Sequence, residues 1–277
     1  MKVAVIGHVE WTRIARVDRI PISGDIAHAD VSWEGPAGGG AVAAVQLAKL
    51  ASKCAFFTAL GDDLPGSNAR AALESNGVDV LAAIRNAPTR EAFALIEAGG
   101  ERTTTTLGAR LQPSYCDRLP WDRLEEYDAI YFSAGDATVL RSARASATLV
   151  VTAREMATAT AAEIFLDAVV GSSRDRDEAY DPSMLSAPPT VLVATDGSYG
   201  GRYAIRGGPW IPYAPAALPG PAVDCYGAGD SFAAALTFGL ARFDEISSAV
   251  EFAARCGAAC IAGAGPFSRQ LRLDELA

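Results

Sequence analysis

No stretch of this chain limits its fold more than Asp224-Cys225-Tyr226-Gly227-Ala228-Gly229-Asp230-Ser231-Phe232. Its glycine-rich turn runs straight into Ser231 to Leu240, a segment apolar nearly all round, which predicts a helix buried on most sides. Gly227 and Gly229 let the backbone come close to a ligand. The free N–H groups of the first helical turn and the helix dipole then present an anion site into which a phosphate fits. Asp230 stands beside it. A carboxylate there either takes a proton from an alcohol as phosphoryl transfer begins or only complements the helix N-terminus.

The rest of the chain supplies layers to bury such a helix. Strands are expected at Val3 to Ile6, Cys54 to Leu60, Ala129 to Ser133, Thr148 to Thr152, Ala168 to Val170 and Thr190 to Ala194. Helices are expected at 41–50, from Ser67 to Asn76 with Gly77 as C-cap, near Thr138, and from Ala157 to Phe165. Two more, Glu245 to Cys256 and Gly257 to Ala262, follow the buried one. The alternation argues for a parallel sheet covered by helices. Short strands between Val9 and Trp33, and a hairpin from Arg90 to Glu97 and Thr103 to Leu107 around Ala98 to Arg102, read as a second small sheet. Ser173 to Pro189 reads as a surface excursion.

With 277 residues, 50% of them hydrophobic, the chain can build one large α/β domain, alone or with an appendage. A net charge of -9 speaks against nucleic acid and anionic membrane as partners, so any nucleotide site has to be a local one. Met1-Lys2 opens directly into Val3 to Gly7 without a leader pattern, and no apolar run reaches membrane-spanning length, which places the protein in the cytoplasm. The five cysteines form no paired framework, and Cys256 and Cys260 read as small core residues. His8 and His28 are the only histidines, which disfavours a zinc site or a Ser-His-Asp hydrolase. After Gly7 comes His8-Val9-Glu10-Trp11, with no glycine fingerprint, so a dinucleotide-dependent oxidoreductase is disfavoured as well.

The nine-residue stretch beginning at Asp224 resembles the C-terminal signature of the ribokinase-like sugar kinases, the phosphofructokinase B-type family, with Cys225 and Tyr226 in place of the usual hydroxyl-rich pair. The resemblance covers essentially the whole chain in order. It implies a three-layer, doubly wound, mostly parallel α/β body from residues 1–8, 35–88 and 108–277, with a β lid from 9–34 and 89–107. It implies an ATP- and Mg²⁺-dependent kinase acting on a hydroxyl of a sugar or nucleoside, with Asp230 as catalytic base and Gly227, Ala228 and Gly229 as anion hole. Thr195-Asp196-Gly197-Ser198-Tyr199-Gly200 resembles the family's nucleotide loop, giving Thr195, Gly197 and Gly200 to the nucleotide, with Arg255 at the position near adenine.

Gly38, Gly39 and Gly40 match part of the sugar-binding glycine segment, with Val42 at the position of its Asn. Glu10 and Thr12 stand near the family's sugar-gripping Asn and Asp. Gly61-Asp62-Asp63-Leu64-Pro65-Gly66 is similar to a helix entry of the family. Where the family has Asn-x-x-Glu, this chain has Ser172-Ser173-Arg174-Asp175, which leaves Asp175 to reach Mg²⁺ through water, and Asp224 is the counterpart of a residue holding a monovalent cation. A homodimer through lid strands is the implied assembly. The departures at Val42, Ser172 and Arg255 keep a second reading open, a non-catalytic nucleotide or sugar sensor on the same fold. Retention of Asp230 speaks against it.

Overall fold

A strand buried on both faces sends alternate side chains into two separate cores, and β1 (Val3–Ile6) does so. In the computed structural model, which describes residues 1–51, 53–97, 102–181 and 184–276, Val3 and Val5 join one apolar cluster and Ala4 and Ile6 the other. The remaining strands, in chain order, are β2 (Glu10–Arg16), β3 (Val31–Ala37), β4 (Cys54–Gly61), β5 (Val78–Arg85), β6 (Glu91–Ile96), β7 (Arg102–Leu107), β8 (Ala129–Phe132), β9 (Thr148–Thr152), β10 (Ala168–Ser172), β11 (Val191–Thr195), β12 (Gly201–Ile205) and β13 (Ile211–Tyr213). The α-helices are α1 (Gly39–Leu50), α2 (Leu64–Ser75), α3 (Ala137–Ala143), α4 (Met156–Ala162), α5 (Ala228–Arg242) and α6 (Ile246–Ile261).

The main sheet has the order β13-β12-β11-β10-β9-β8-β1-β4-β5, parallel from β11 to β5 and antiparallel only at its β12–β13 edge. Residues of α1, α2, α5 and α6 pack on one face with Phe56, and residues of α3 and α4 on the other with Phe57 and Phe132. The chain thus forms the expected three layers. A second sheet, β3-β2-β6-β7, sits apart in hydrogen bonding, with β2 parallel to β6 and its other pairs antiparallel.

Three local differences from the sequence reading have physical causes. A strand at 78–85 was not expected, because β5 is the outer strand of the sheet and only its first half carries a buried alternation. One continuous helix, α6, replaces the two expected. Gly257 does not break it; a Cβ there would lie 3.2 Å from the carbonyl oxygen of Ala228, so the glycine serves the close crossing of α5. Helix α2 begins at Leu64, before Ser67, because Asp63 caps it by accepting the Gly66 N–H at 2.8 Å and Pro65 suits the first turn. Residues 98–101, expected to turn the hairpin, lie outside the described residues, as do 182 and 183 of the surface excursion.

The connection between the sheets is tight. Gly40 lies so close to His8 that a Cβ on it would stand 2.7 Å from the His8 carbonyl oxygen, 2.9 Å from its nitrogen and 2.9 Å from the Phe56 ring. Gly40→Ala is therefore expected to destabilise the fold by about 1–3 kcal/mol through overpacking against backbone. Urea unfolding followed by far-UV circular dichroism measures it, and an unchanged midpoint would mean that the contact yields freely.

Candidate active site

The functional side chains gather where the chain leaves the main sheet and returns to it. After β1, Gly7, His8 and Val9 carry it into β2, and the register pairing Glu10 with Ala37 brings the start of β2 beside the loop entering α1. Gly38, the N-cap of α1, has φ +85°, and a Cβ there would meet the His8 ring at 3.1 Å and Glu10 Cγ at 3.3 Å. A Cβ on Gly39 would lie 3.0 Å from Oδ1 of Asp230. The expected substrate residues Glu10, Gly38 and Gly39 and the expected base Asp230 are thus brought into one place. Gly40 instead packs on backbone, and Thr12 is fully buried on β2 near the Tyr226 phenol.

Asp230 lies in the first turn of α5, whose N-cap Gly227 takes the left-handed conformation at φ +83°. No side chain caps this helix end. The Ala228 N–H makes only a long turn contact to the Cys225 carbonyl at 3.3 Å, while Gly229 borders open space. First-turn N–H groups left in that state are donors for an anion. Asp224 is buried and staples the turn: one carboxylate oxygen accepts from Tyr226 N at 2.8 Å and the other from Gly265 N at 3.1 Å. Both oxygens are thus engaged in holding the turn's shape, and no step below is built on a cation at Asp224.

The departures at Val42 and Tyr226 turn out to be one packing event. Both are buried in a small apolar cluster with Ile14, Ala37, Ala94 and Ile96, and Val42 closes on Gly227. Tyr226 also gives its ring face to Arg102, whose guanidinium carbon lies 4.7 Å from the ring centroid. Arg102 belongs to β7, so the small sheet reaches the phosphate turn directly.

Four arginines set the electrostatics, and the sequence reading gave none of them a place in the site. Arg90 Nη1 stands 3.3 Å from Glu10 Oε1, and Arg110 Nη2 stands 2.8 Å from Glu155 Oε1. Burial, helped by the charges of Arg110, Arg90 and Arg154, pushes the His8 imidazole down to about 3, so His8 is neutral and its 3.7 Å approach to Glu10 is not an ion pair. Burial raises the Glu10 carboxyl, against the pull of Arg90. Burial likewise raises the Asp230 carboxyl, against Arg102 and Arg154. The helix N-terminus does not keep Asp230 at an ordinary carboxylate value, contrary to the sequence expectation. Among the described residues no side chain or N–H donates to its oxygens.

The residues expected at the nucleotide lie at and beyond the next strand ends. Ser172 ends β10 in register with Thr195 at the end of β11. Thr195 donates to the Gly171 carbonyl at 3.3 Å, Gly197 packs against the Arg174 guanidinium, and Gly200, at φ +85°, lets the turn close on Tyr213 and Ala214. Tyr213 and Arg255 line a cavity of about 610 Å³ with Tyr203, Pro215, Ala217 and Ala254. Tyr213 also stacks on Phe232 of α5 at 6.0 Å, which joins this side to the phosphate turn. Asp175 is held by Arg154, as is Glu178 at 2.9 Å. Glu178 was missed: it sits inside the expected excursion, yet it is the more buried of the two, accepts from Ser172 N at 2.7 Å and is raised by burial and by the charge of Asp230.

An acid whose folded pKa lies above its ordinary 3.8 costs stability once ionised, and that cost is fully present above the folded value. Asp230→Asn should therefore raise Tm at pH 7, with the gain shrinking as pH falls toward 3.8. Thermal unfolding of both proteins across that range tests it; a variant less stable at pH 7 would show that the carboxylate is stabilised by its surroundings.

Comparison with known proteins agrees with this geometry. The model of the pfkB family of carbohydrate kinases matches residues 1–180 and 138–269. An ATP-dependent ribose-1-phosphate kinase of Halopiger xanaduensis is 26% identical, over 93% of this chain and 91% of that one. The ribokinase of Cryptococcus neoformans var. grubii, solved with ADP, superposes with a TM-score of 0.78 at 18% identity, covering 99% of this chain and 98% of that one. The Arabidopsis thaliana ribokinase, solved with ribose and ATP, gives 0.73 at 17%, covering 98% and 96%. With a family match across most of its length, the chain belongs to the pfkB family of carbohydrate kinases.

Proposed function

We propose that the protein transfers the γ-phosphoryl group of ATP to a hydroxyl of a sugar or nucleoside, with Asp230 taking the proton. The observation that carries this reading is the state of that carboxylate: half-buried, without a donor among the described residues, and set against the start of α1 beside an uncapped helix end. Its raised proton affinity suits a general base better than a carboxylate locked in a salt bridge. The acceptor oxygen forms its bond to the γ-phosphorus, and the bond from that phosphorus to the β–γ bridging oxygen breaks. The electron pair leaves with ADP, and the hydroxyl proton passes to Asp230. The N–H groups of 227–229 face the transferring phosphoryl charge.

Thr195, Gly197 and Gly200 would border the phosphates and ribose of ATP, and the cavity at Arg255 is the size and kind of place that takes its base. Magnesium suits oxygen donors reached through water, and Asp175 and Glu178 supply them beside Asp230; when bound, it neutralises the triphosphate charge. Glu10 and Gly38 border the acceptor. The segments 9–34 and 89–107 act as its lid, and a homodimer would form through the edges of that small sheet. The enzyme would work in the cytoplasm, where ATP is supplied. Because the Halopiger relative acts on ribose 1-phosphate and the Arabidopsis structure holds ribose, pentoses and their derivatives come first among acceptors.

Asp230→Asn should lower kcat by about 10²–10⁴ while leaving ATP affinity nearly intact, because Asn cannot accept the proton. Single-turnover transfer and ATP binding on the folded variant separate the two. Wild-type transfer would remove Asp230 as base, and equal loss of both would make it a builder of the site. Glu10→Ala should lower kcat/KM for the acceptor by about tenfold to a few hundredfold. Unchanged steady-state kinetics would leave Glu10 a partner of Arg90 and nothing more.

A further inference from the structure

We infer that the acceptor enters as a phosphate ester, its phosphate held by Arg90 and Arg110 on the His8–Glu10 side of the pocket while its free hydroxyl meets Asp230. This rests on the kinase reading and narrows its substrate class.

Buried polar atoms without partners collect at this one place. Among the described residues, His8 Nδ1, Arg90 Nε and Ser133 Oγ are buried and lack a hydrogen bond. Ser133 ends up beside Gly39 and Gly7, so these atoms belong to the surroundings of the acceptor pocket and the seam below it. Native proteins rarely leave such groups unpaired unless something else supplies the partner. Arg90 is the telling case. It touches Glu10 through one nitrogen at 3.3 Å and donates to Thr106 through another at 2.6 Å, while its Nε has no acceptor.

Arg110 is likewise held through a single nitrogen, Nη2, shared between Gln112 and Glu155. A guanidinium carries five N–H donors in a planar fork, and a phosphate matches that fork with two parallel bonds. A neutral sugar or nucleoside offers single hydroxyl acceptors but no anion to match the fork.

The placement fits one bound molecule. Arg90 and Arg110 both act on His8 and on Glu10, and neither is among the charges acting on Asp230, which are those of Arg102 and Arg154. Arg154 acts on His8 as well and Arg102 on Glu10, but Arg154 is occupied by Asp175, Asp177 and Glu178, and Arg102 lies over the Tyr226 ring beside the turn that enters α5. Arg90 and Arg110 are therefore the two guanidiniums with donors to spare whose charge bears on both His8 and Glu10. Glu10, relieved of Arg90 when the phosphate binds, is left to accept from a sugar hydroxyl.

The test compares D-ribose, D-ribose 1-phosphate, D-ribose 5-phosphate, the matching hexoses and their monophosphates, and nucleosides, by ADP formation and by thermal shift without ATP. One of the phosphate esters should exceed its unphosphorylated parent in kcat/KM by about 10²–10⁴, as expected of a site built around a charged hydrogen-bonding group. Arg90→Gln and Arg110→Gln should shrink that preference mainly through KM, and should abolish the stabilisation of the ATP-free protein by the ester. Arg90→Lys, which keeps the charge and loses the fork, should restore part of it.

Plain sugars or nucleosides turned over as well as the esters would overturn the inference and leave the kinase reading standing. Failure of every acceptor would overturn the kinase reading. The ester's thermal shift, present in wild type and lost in Arg90→Gln, would still support the phosphate site, and its absence in wild type would sink it.

Discussion

Everything described above depends on one close approach of backbone to backbone. Gly40, at the start of α1, rests on His8, at the end of β1, and Gly7 rests on Gly40 in turn, with no room for a side chain between them. Because that approach is so close, the exit into the small sheet and the return from it lie side by side. The pocket is consequently walled by both sheets. The ends of parallel strands leave unpaired peptide groups and the N-termini of following helices at one edge, which is where ligands of such sheets bind. Placing the second sheet there adds side chains that the first could not supply.

Burial at that seam is costly, and the residues show it. Glu10, Asp230 and Glu178 all have carboxyls raised by desolvation, and His8 is held neutral. The arginines offset part of that cost without forming an exclusive pair with Asp230. A protein tuned for stability alone would place an apolar side chain at such a position, since an unpaired buried charge opposes folding. Its presence is an expense that binding and chemistry recover.

The layered sheet and the turn from Asp224 to Phe232 were legible in the sequence, because each is a local pattern: a run of small apolar residues after two glycines, or a strand period followed by a helix period. What was not legible is what topology assembles. Arg90, Arg102, Arg110 and Arg154 come from one strand and three connections, and nothing in their spacing says that their charges meet at His8, Glu10 and Asp230. Glu178 was hidden for a different reason. It occupies a short helical turn inside a stretch of charges and prolines, where composition argues only for solvent. Val42 and Tyr226 looked like two separate losses, and only their burial in one cluster shows that they are neighbours. Gly257 was read as a helix break because propensity weighs one residue at a time, whereas the crossing with α5 demands its lack of a side chain.

The perch of Arg102 on Tyr226 has a consequence for how far a substitution reaches. Arg102 is carried by the small sheet, and its positive charge is the foremost influence opposing the burial that raises Asp230. The proton affinity of a carboxyl on α5 is therefore set in part from a strand that shares no hydrogen bond with the main sheet. A change confined to β7, remote in sequence from α5 and outside both large cores, is felt at the carboxyl through charge alone.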